Sequence, residues 1–184
     1  MRITGWAALL LWLACPGTAC AVWGPFGGVG RLESGDAPAG VFEGYEAGVI
    51  AFGPNGEGFW QAAFTRLDRT DGPERITRAG ARLNFALLSG TAGLFYAGAG
   101  GGRNWITTPA GDRTRWSWGA QAGLLLSPQG IWREFPGRRR GLSPAPGKIG
   151  TARGAFLLGA EAGWSQGPAP LQGFEFRGFV TLVY

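Results

Sequence analysis

The chain has 184 residues, a formal net charge of +5, 35 glycines, nine tryptophans, no histidine and only 16% charged residues. Interior glycine weakens helices, so this composition favours an all-β fold, and the length suits one domain. Without histidine, Ser-His-Asp and Cys-His catalysis and nearly all zinc enzymes are excluded, and we predict neither a metal nor a cofactor.

The N-terminus has the pattern of a cleaved export signal. Arg2 precedes an apolar run over 6–14, and Ala19-Cys20-Ala21 matches the small-residue cleavage pattern. We therefore predict a signal peptide over 1–21; a retained anchor and a lipoprotein are the alternatives. Both cysteines lie in this segment, so the mature chain has no disulfides.

The rest of the chain alternates between apolar and mixed positions with a period of two, which predicts β-strands. The segments are about as long as a tilted membrane strand, which needs about 9–11 residues. Turn-forming residues separate them, as in 53–58 and 167–173. The candidate strands, in chain order, lie within 22–33, 42–53, 58–68, 78–88, 93–107, 115–126, 155–164 and 173–184.

The late strands have clear faces. In 173–184, Phe174 and Phe176 share a side with Val180, whereas Glu175 and Arg177 lie on the other side. The mixed face of such strands is made of small residues with few charges, so neither face suits water. We therefore expect the apolar face to contact lipid and the mixed face to line a narrow lumen, in a sheet that must close because lipid satisfies no backbone groups.

One long segment interrupts the strands. Residues 128–154 are rich in proline and glycine and carry six Arg or Lys residues against one Glu. A solvated loop is one interpretation. The other is that Arg138, Arg139 and Arg140 bind anionic lipid or a periplasmic protein. Export and the lack of interleaved aromatics argue against nucleic acid. The stretch "IWREF" is a candidate for a missed strand.

These features resemble the small outer-membrane β-barrels of Gram-negative bacteria, the opacity-like and OmpA-like group. The resemblance covers 22–184 and is most specific in the terminal "FVTLVY". It implies that the outer-membrane assembly machinery reads the last strand, although Tyr184 stands where Phe is commoner. It also implies a periplasmic C-terminus, which places 128–154 in the periplasm, whereas long connections usually face outward.

The lumen-facing positions carry a set of polar residues: Arg82, Asn84, Gln121, Glu161, Glu175 and Arg177. We predict that they pair with one another and plug the lumen, since a charge in a narrow pore must be paired or hydrated. A selectivity ring is the alternative. Trp116, Trp164 and Tyr184 are predicted interface aromatics. Single carboxylates such as Glu46 lack a partner nucleophile or base, so catalysis is not predicted.

The fold prediction is a closed, antiparallel, up-and-down transmembrane β-barrel of about eight strands, spanning 22–184. The predicted function is a non-enzymatic structural or interaction role in the cell envelope, with outer-membrane lipid around the barrel. Two alternatives stay open: a narrow, porin-like pore for small solutes, and a secreted soluble β-barrel that binds an apolar ligand.

Overall fold

The computed structural model describes residues 22–35, 39–53, 58–89, 92–127 and 155–183, which form eight β-strands and several of the turns between them. The strands are β1 (Val22–Ser34), β2 (Gly40–Phe52), β3 (Gly58–Arg69), β4 (Arg75–Ser89), β5 (Gly93–Thr108), β6 (Gly111–Leu126), β7 (Ala155–Gln166) and β8 (Gly173–Val183).

The strands form a closed barrel in which each strand pairs with the next in sequence order. All pairs are antiparallel, and β1 pairs with β8, with Phe26 opposite Thr181 and Ser34 opposite Gly173. This arrangement confirms the predicted all-β, up-and-down, eight-stranded barrel. Within the described residues, no helix has the length and apolar character needed to cross a membrane.

The two ends of the barrel differ in their connections. We call the end where β1 begins and β8 finishes the proximal end, and the other the distal end. The segment between β6 and β7, which contains 128–154, joins strands at the proximal end. At the distal end, β6 begins at Gly111, four residues before the predicted strand. It is longer than predicted because β5 extends alongside it, with Thr108 opposite Gly111.

The two faces of the sheet have different environments. Inward-facing residues are mostly buried, whereas large hydrophobic side chains are exposed on the outside, as the alternation in the late strands predicts. Val29 is 66% exposed and Trp118 is 64% exposed. Other exposed apolar residues are Phe64, Leu83, Phe85, Leu124, Phe156, Leu158, Phe174, Phe176, Val180 and Leu182.

Two apolar clusters fill the ends of the interior. The proximal cluster consists of Phe26, Ile50, Phe52, Phe59, Leu94, Tyr96, Leu125, Leu157, Phe179 and Val183. The distal cluster consists of Leu32, Phe42, Leu67, Ile76, Ile106 and Leu171. Leu171 comes from the connection between β7 and β8 and is fully buried in the distal mouth. The polar inward-facing residues therefore lie between the proximal and the distal apolar cluster.

Inward-facing glycines let neighbouring strands approach closely. A Cβ built on Gly28 would lie 2.3 Å from Gly178 O and 2.7 Å from the Cβ of Phe179, whereas at the outward-facing Gly27 the nearest atom is 4.0 Å away. We expect Gly28→Ala to lower the free energy of unfolding by about 1–3 kcal/mol through overpacking. Gly27→Ala is the matched control and should change it far less. Urea titration of the folded barrel in detergent measures both, and equal effects would contradict this explanation.

Candidate functional site

The candidate site is the polar layer of the lumen. Arg82 projects inward from β4, Glu161 from β7 and Arg177 from β8. Glu161 and Arg177 are direct cross-strand partners in the β7–β8 hairpin. Because alternate residues of a strand share a face, the same pairing that exposes Ala162 and Phe176 turns this charge pair inward.

Glu161 lies at the centre of the layer. Its Oε2 accepts a hydrogen bond from Arg82 Nη1 at 2.9 Å and another from Arg177 Nη1 at 3.3 Å. Its Oε1 accepts a hydrogen bond from the Tyr96 hydroxyl at 2.6 Å. The Glu161 side chain is 1% exposed, and the side chains of Arg82 and Arg177 are 9% and 11% exposed. One buried carboxylate on β7 thus links side chains of β4, β5 and β8.

Two further carboxylates complete the charge balance. Glu46 Oε2 accepts a hydrogen bond from Arg82 Nη2 at 2.8 Å. Glu175 is held by Arg177 and by Arg78, whose Nη1 donates to Oε1 at 2.6 Å. The layer therefore contains three guanidinium groups and three carboxylates, and each carboxylate has a cationic partner, as buried charges require.

Amide side chains extend the network around the lumen wall. Asn84 Nδ2 donates to Gln61 Oε1 at 3.1 Å, and Gln121 Nε2 donates to Asn84 Oδ1 at 2.8 Å. On the distal side, Arg78 Nε donates to Asn104 Oδ1 at 2.7 Å, and Asn104 Nδ2 donates to Ser117 Oγ at 2.9 Å. The Arg78–Asn104–Ser117 bonds join the charged layer to β5 and β6, and the amide chain separately joins β3, β4 and β6.

A small cavity remains beside this network. Its volume is about 40 Å³, and its lining includes Arg78, Arg82, Gln121 and Glu161 together with glycines of β5 and β6. Arg78 Nη2 is buried without a hydrogen-bond partner among the described residues. At roughly 10–15 Å³ per water molecule, the cavity accommodates only a few waters. It is too small for an organic substrate.

All six polar residues predicted to face the lumen point inward. Arg82, Glu161, Glu175 and Arg177 belong to one charged network, whereas Asn84 and Gln121 belong to a separate chain of amide hydrogen bonds. The sequence pattern did not predict that Arg78, Tyr96 and Asn104 would take part in the first, or Gln61 in the second. Arg78 shares the parity of Arg82 and Asn84 in β4, so this signal was available. Glu46 was considered only as an isolated carboxylate, because both faces of β2 contain apolar residues and its facing is not readable from the sequence.

Two of the predicted interface aromatics lie on the outer surface. Trp116 is 70% exposed, and Trp164 packs edge-on against Phe174 with ring centroids 4.7 Å apart. Trp105 and Trp118 are also exposed on the outer surface near Trp116. Trp116 is six residues into β6 rather than at its end, but the residues before it are polar or charged apart from Gly111. Tyr184 lies outside the described residues.

Outward-facing charges are confined to the distal part of the described strands. Arg31 contacts Glu33 at 2.8 Å and Glu43 at 3.0 Å, and Arg75 contacts Asp68 at 2.6 Å. In the turn after β3, a hydrogen bond from Arg69 lowers the pKa of the Asp71 carboxyl. The outward-facing strand residues that form these ion pairs are Arg31, Glu33, Glu43, Arg66, Asp68 and Arg75, and we call them the distal collar.

The remaining predicted sites do not fall on described residues. Arg138, Arg139, Arg140 and the candidate strand "IWREF" lie outside the described residues, as do the signal peptide and the cleavage pattern. Among the residues that the structure describes, no group of three or more acidic, histidine or cysteine side chains is arranged to hold a metal ion.

The fold is similar to two solved surface proteins. The attachment invasion locus protein Ail of Yersinia pestis matches with a TM-score of 0.53 and 13% identity, over 89% of this chain and 98% of Ail. Neisserial surface protein A (NspA) matches with a TM-score of 0.53 and 11% identity, over 91% of this chain and 97% of NspA. No family model and no curated protein matches the chain. Both neighbours are small eight-stranded outer-membrane barrels, which confirms the predicted resemblance in fold.

Proposed function

We propose that the protein is an outer-membrane β-barrel with a non-enzymatic, structural or interaction role in the cell envelope. The observation that carries this proposal is the distribution of side chains across the barrel wall. Large apolar residues such as Trp118, Phe85 and Val180 are exposed outside, while Glu161 and Asn84 are buried inside. A barrel in water has the reverse arrangement, with polar residues outside. In lipid, the exposed apolar band is solvated, and the closed sheet leaves no backbone edge within that band.

The charge distribution supports an orientation. Outward-facing charges lie in the distal part of the barrel, whereas the outer surface near the proximal end carries none among the described residues. Exposed ion pairs such as Arg31 with Glu43 belong in water. We therefore place the distal collar outside the cell and the two termini in the periplasm. This orientation puts 128–154 on the periplasmic side, where it is available to anionic lipid or to a periplasmic protein.

The neighbours in fold agree with a surface role. One is an attachment invasion locus protein and the other is a surface protein, as their names state. The non-enzymatic part of the proposal is supported by the lumen, where Glu46, Glu161 and Glu175 are each engaged with arginine. A carboxylate that is held by guanidinium groups in a sealed layer is poorly placed to act as a general base on a substrate.

Extraction of membranes tests this proposal. We expect the expressed protein to stay in the outer-membrane fraction after washing with alkaline carbonate and to require detergent for release. The purified barrel should also migrate differently on gels before and after boiling, because the closed sheet resists dodecyl sulfate until heated. A mature chain that is freely soluble and monomeric without detergent would contradict the proposal and favour the secreted β-barrel.

The filled lumen predicts that the protein is not a pore. Among the described residues, apolar clusters lie at both ends of the interior, and the cavity beside the charged layer between them has a volume of about 40 Å³. We expect the purified barrel to show no stable channel in a planar bilayer and no swelling of liposomes in sugar solutions. A large, long-lived open conductance would instead establish the narrow pore.

A further inference from the structure

One strand extends beyond its neighbour at the distal end. β6 pairs with β5 along its whole length, down to Gly111 opposite Thr108. On its other side, its pairing with β7 stops at Trp118, which lies opposite Gln166. β7 ends at Gln166, and Gly167 still lies beside β6, since a Cβ there would be 3.3 Å from Trp116 O. Residues 111–115 are thus left without a strand partner on this side, among the residues that the structure describes.

This stretch, which we call the β6 edge, is accessible and positively charged. All five of its residues are exposed. Arg113 and Arg115 lie on one face of the strand, because residues two apart share a face. Neither of them forms an ion pair within the described part of the chain, unlike the arginines of the distal collar that contact Glu33, Glu43 or Asp68. The only acidic residue of the edge, Asp112, points to the other face.

We propose that the β6 edge binds an extended, acidic segment of another protein by antiparallel strand addition. The backbone of five residues offers main-chain hydrogen bonds over roughly 17 Å, which supply affinity in this mode of recognition. Carboxylates spaced two residues apart on the partner would lie opposite Arg113 and Arg115, which supply specificity.

A second copy of this chain is a poorer occupant of the edge. If two β6 edges paired antiparallel about Thr114, Arg113 of each copy would lie opposite Arg115 of the other. Like charges directly opposite each other in a sheet are destabilising. The two arginines therefore favour a strand of opposite charge over self-association.

The proposal rests on the proposed function, because the edge must face the outside of the cell to meet a partner. Binding at the β6 edge is nevertheless tested separately from the membrane location, with the full mature barrel in zwitterionic detergent. The probe is a labelled seven-residue peptide in which threonine and glutamate alternate, and fluorescence anisotropy reports binding. There are three control peptides: one has lysine in place of glutamate, and two have N-methyl groups on alternate backbone nitrogens, one in each register.

We expect the glutamate peptide to bind, and the lysine peptide and at least one N-methylated peptide to bind much more weakly. Arg113→Ser combined with Arg115→Ser should weaken binding on the order of tenfold, since two exposed charge pairs are lost. Arg103→Ser is the matched control, because Arg103 is an exposed arginine on the outer face of the same hairpin, over the Trp105 ring at 5.4 Å. It should leave binding unchanged.

Three results would overturn the proposal. One is no binding of the glutamate peptide at about 1 mM, the weak end of the useful affinity range. Another is equal binding of all N-methylated peptides, which would show attraction by charge without strand pairing. The third is an equal loss of binding in the Arg103 variant. Heat-modifiable migration of each variant shows that the barrel is folded. If the peptide does not bind, the extraction result and the proposed membrane location still stand.

Discussion

Glu161→Ala is expected to lower the free energy of unfolding by about 3–5 kcal/mol, because it leaves two buried guanidinium groups without their shared carboxylate. Glu161 Oε2 lies 2.9 Å from Arg82 Nη1 and 3.3 Å from Arg177 Nη1, and its side chain is 1% exposed. The Tyr96 hydroxyl loses its acceptor as well. Urea titration in detergent, followed by tryptophan fluorescence, measures the change.

Glu33→Ala is the control for this experiment. Glu33 also pairs with an arginine, Arg31, at 2.8 Å, but both side chains are about half exposed. An exposed ion pair contributes about 0–1 kcal/mol, so the barrel should lose little stability. If Glu161→Ala and Glu33→Ala have the same small effect, the lumen network does not hold the strands together, and the account of the plug is wrong.

Ala122→Arg is expected to destabilise the barrel in lipid by about 2–4 kcal/mol, the cost of arginine near the middle of a bilayer. Ala122 faces outward and is exposed, with Ala97 and Ala162 as its cross-strand partners. No inward contact is lost by the change. The reason for the cost is the contact of this surface with acyl chains. Folding titrations in phosphatidylcholine vesicles measure it.

Thr107→Arg provides the comparison at the distal end. Thr107 is also exposed and faces outward, opposite Arg75 and Asp112. An arginine here should cost about 0–1 kcal/mol, as it does near the membrane interface. If arginine at Ala122 is tolerated as well as arginine at Thr107, the outer surface of the barrel is not in hydrocarbon.

The facing of the late strands was predictable because only one of their two faces is apolar. In β8, charge and aromatic residues alternate so regularly that Glu175 and Arg177 could be assigned to the lumen from the sequence alone. In β2, Phe42, Ile50 and Phe52 face inward while Tyr45 and Val49 face outward, so hydrophobicity does not distinguish the faces. The place of Glu46 in the network therefore required the structure.

Contacts across the lumen were less predictable than contacts within a hairpin. Glu161 and Arg177 are cross-strand neighbours around the turn at 167–172, so the position of the turn sets their pairing. Arg82 and Glu161 are separated by 79 residues and meet only because the sheet closes with a particular stagger. The apolar clusters that close both mouths depend on the same stagger, as does the unpaired edge of β6. The interpretations of 128–154 and of Tyr184 stay predictions.

The central claim is that the outer surface of the barrel contacts lipid, and spin labels on that surface test it most directly. Residues 22–184 contain no cysteine, so in a barrel of these residues single cysteines can be introduced and labelled at the outward positions Phe176, Val180 and Leu182, with Glu43 of the distal collar as reference. In vesicles, we predict that the first three labels are accessible to oxygen dissolved in the bilayer and shielded from an aqueous nickel chelate, and that Glu43 shows the reverse. Equal exposure of all four positions to the nickel chelate would contradict the claim.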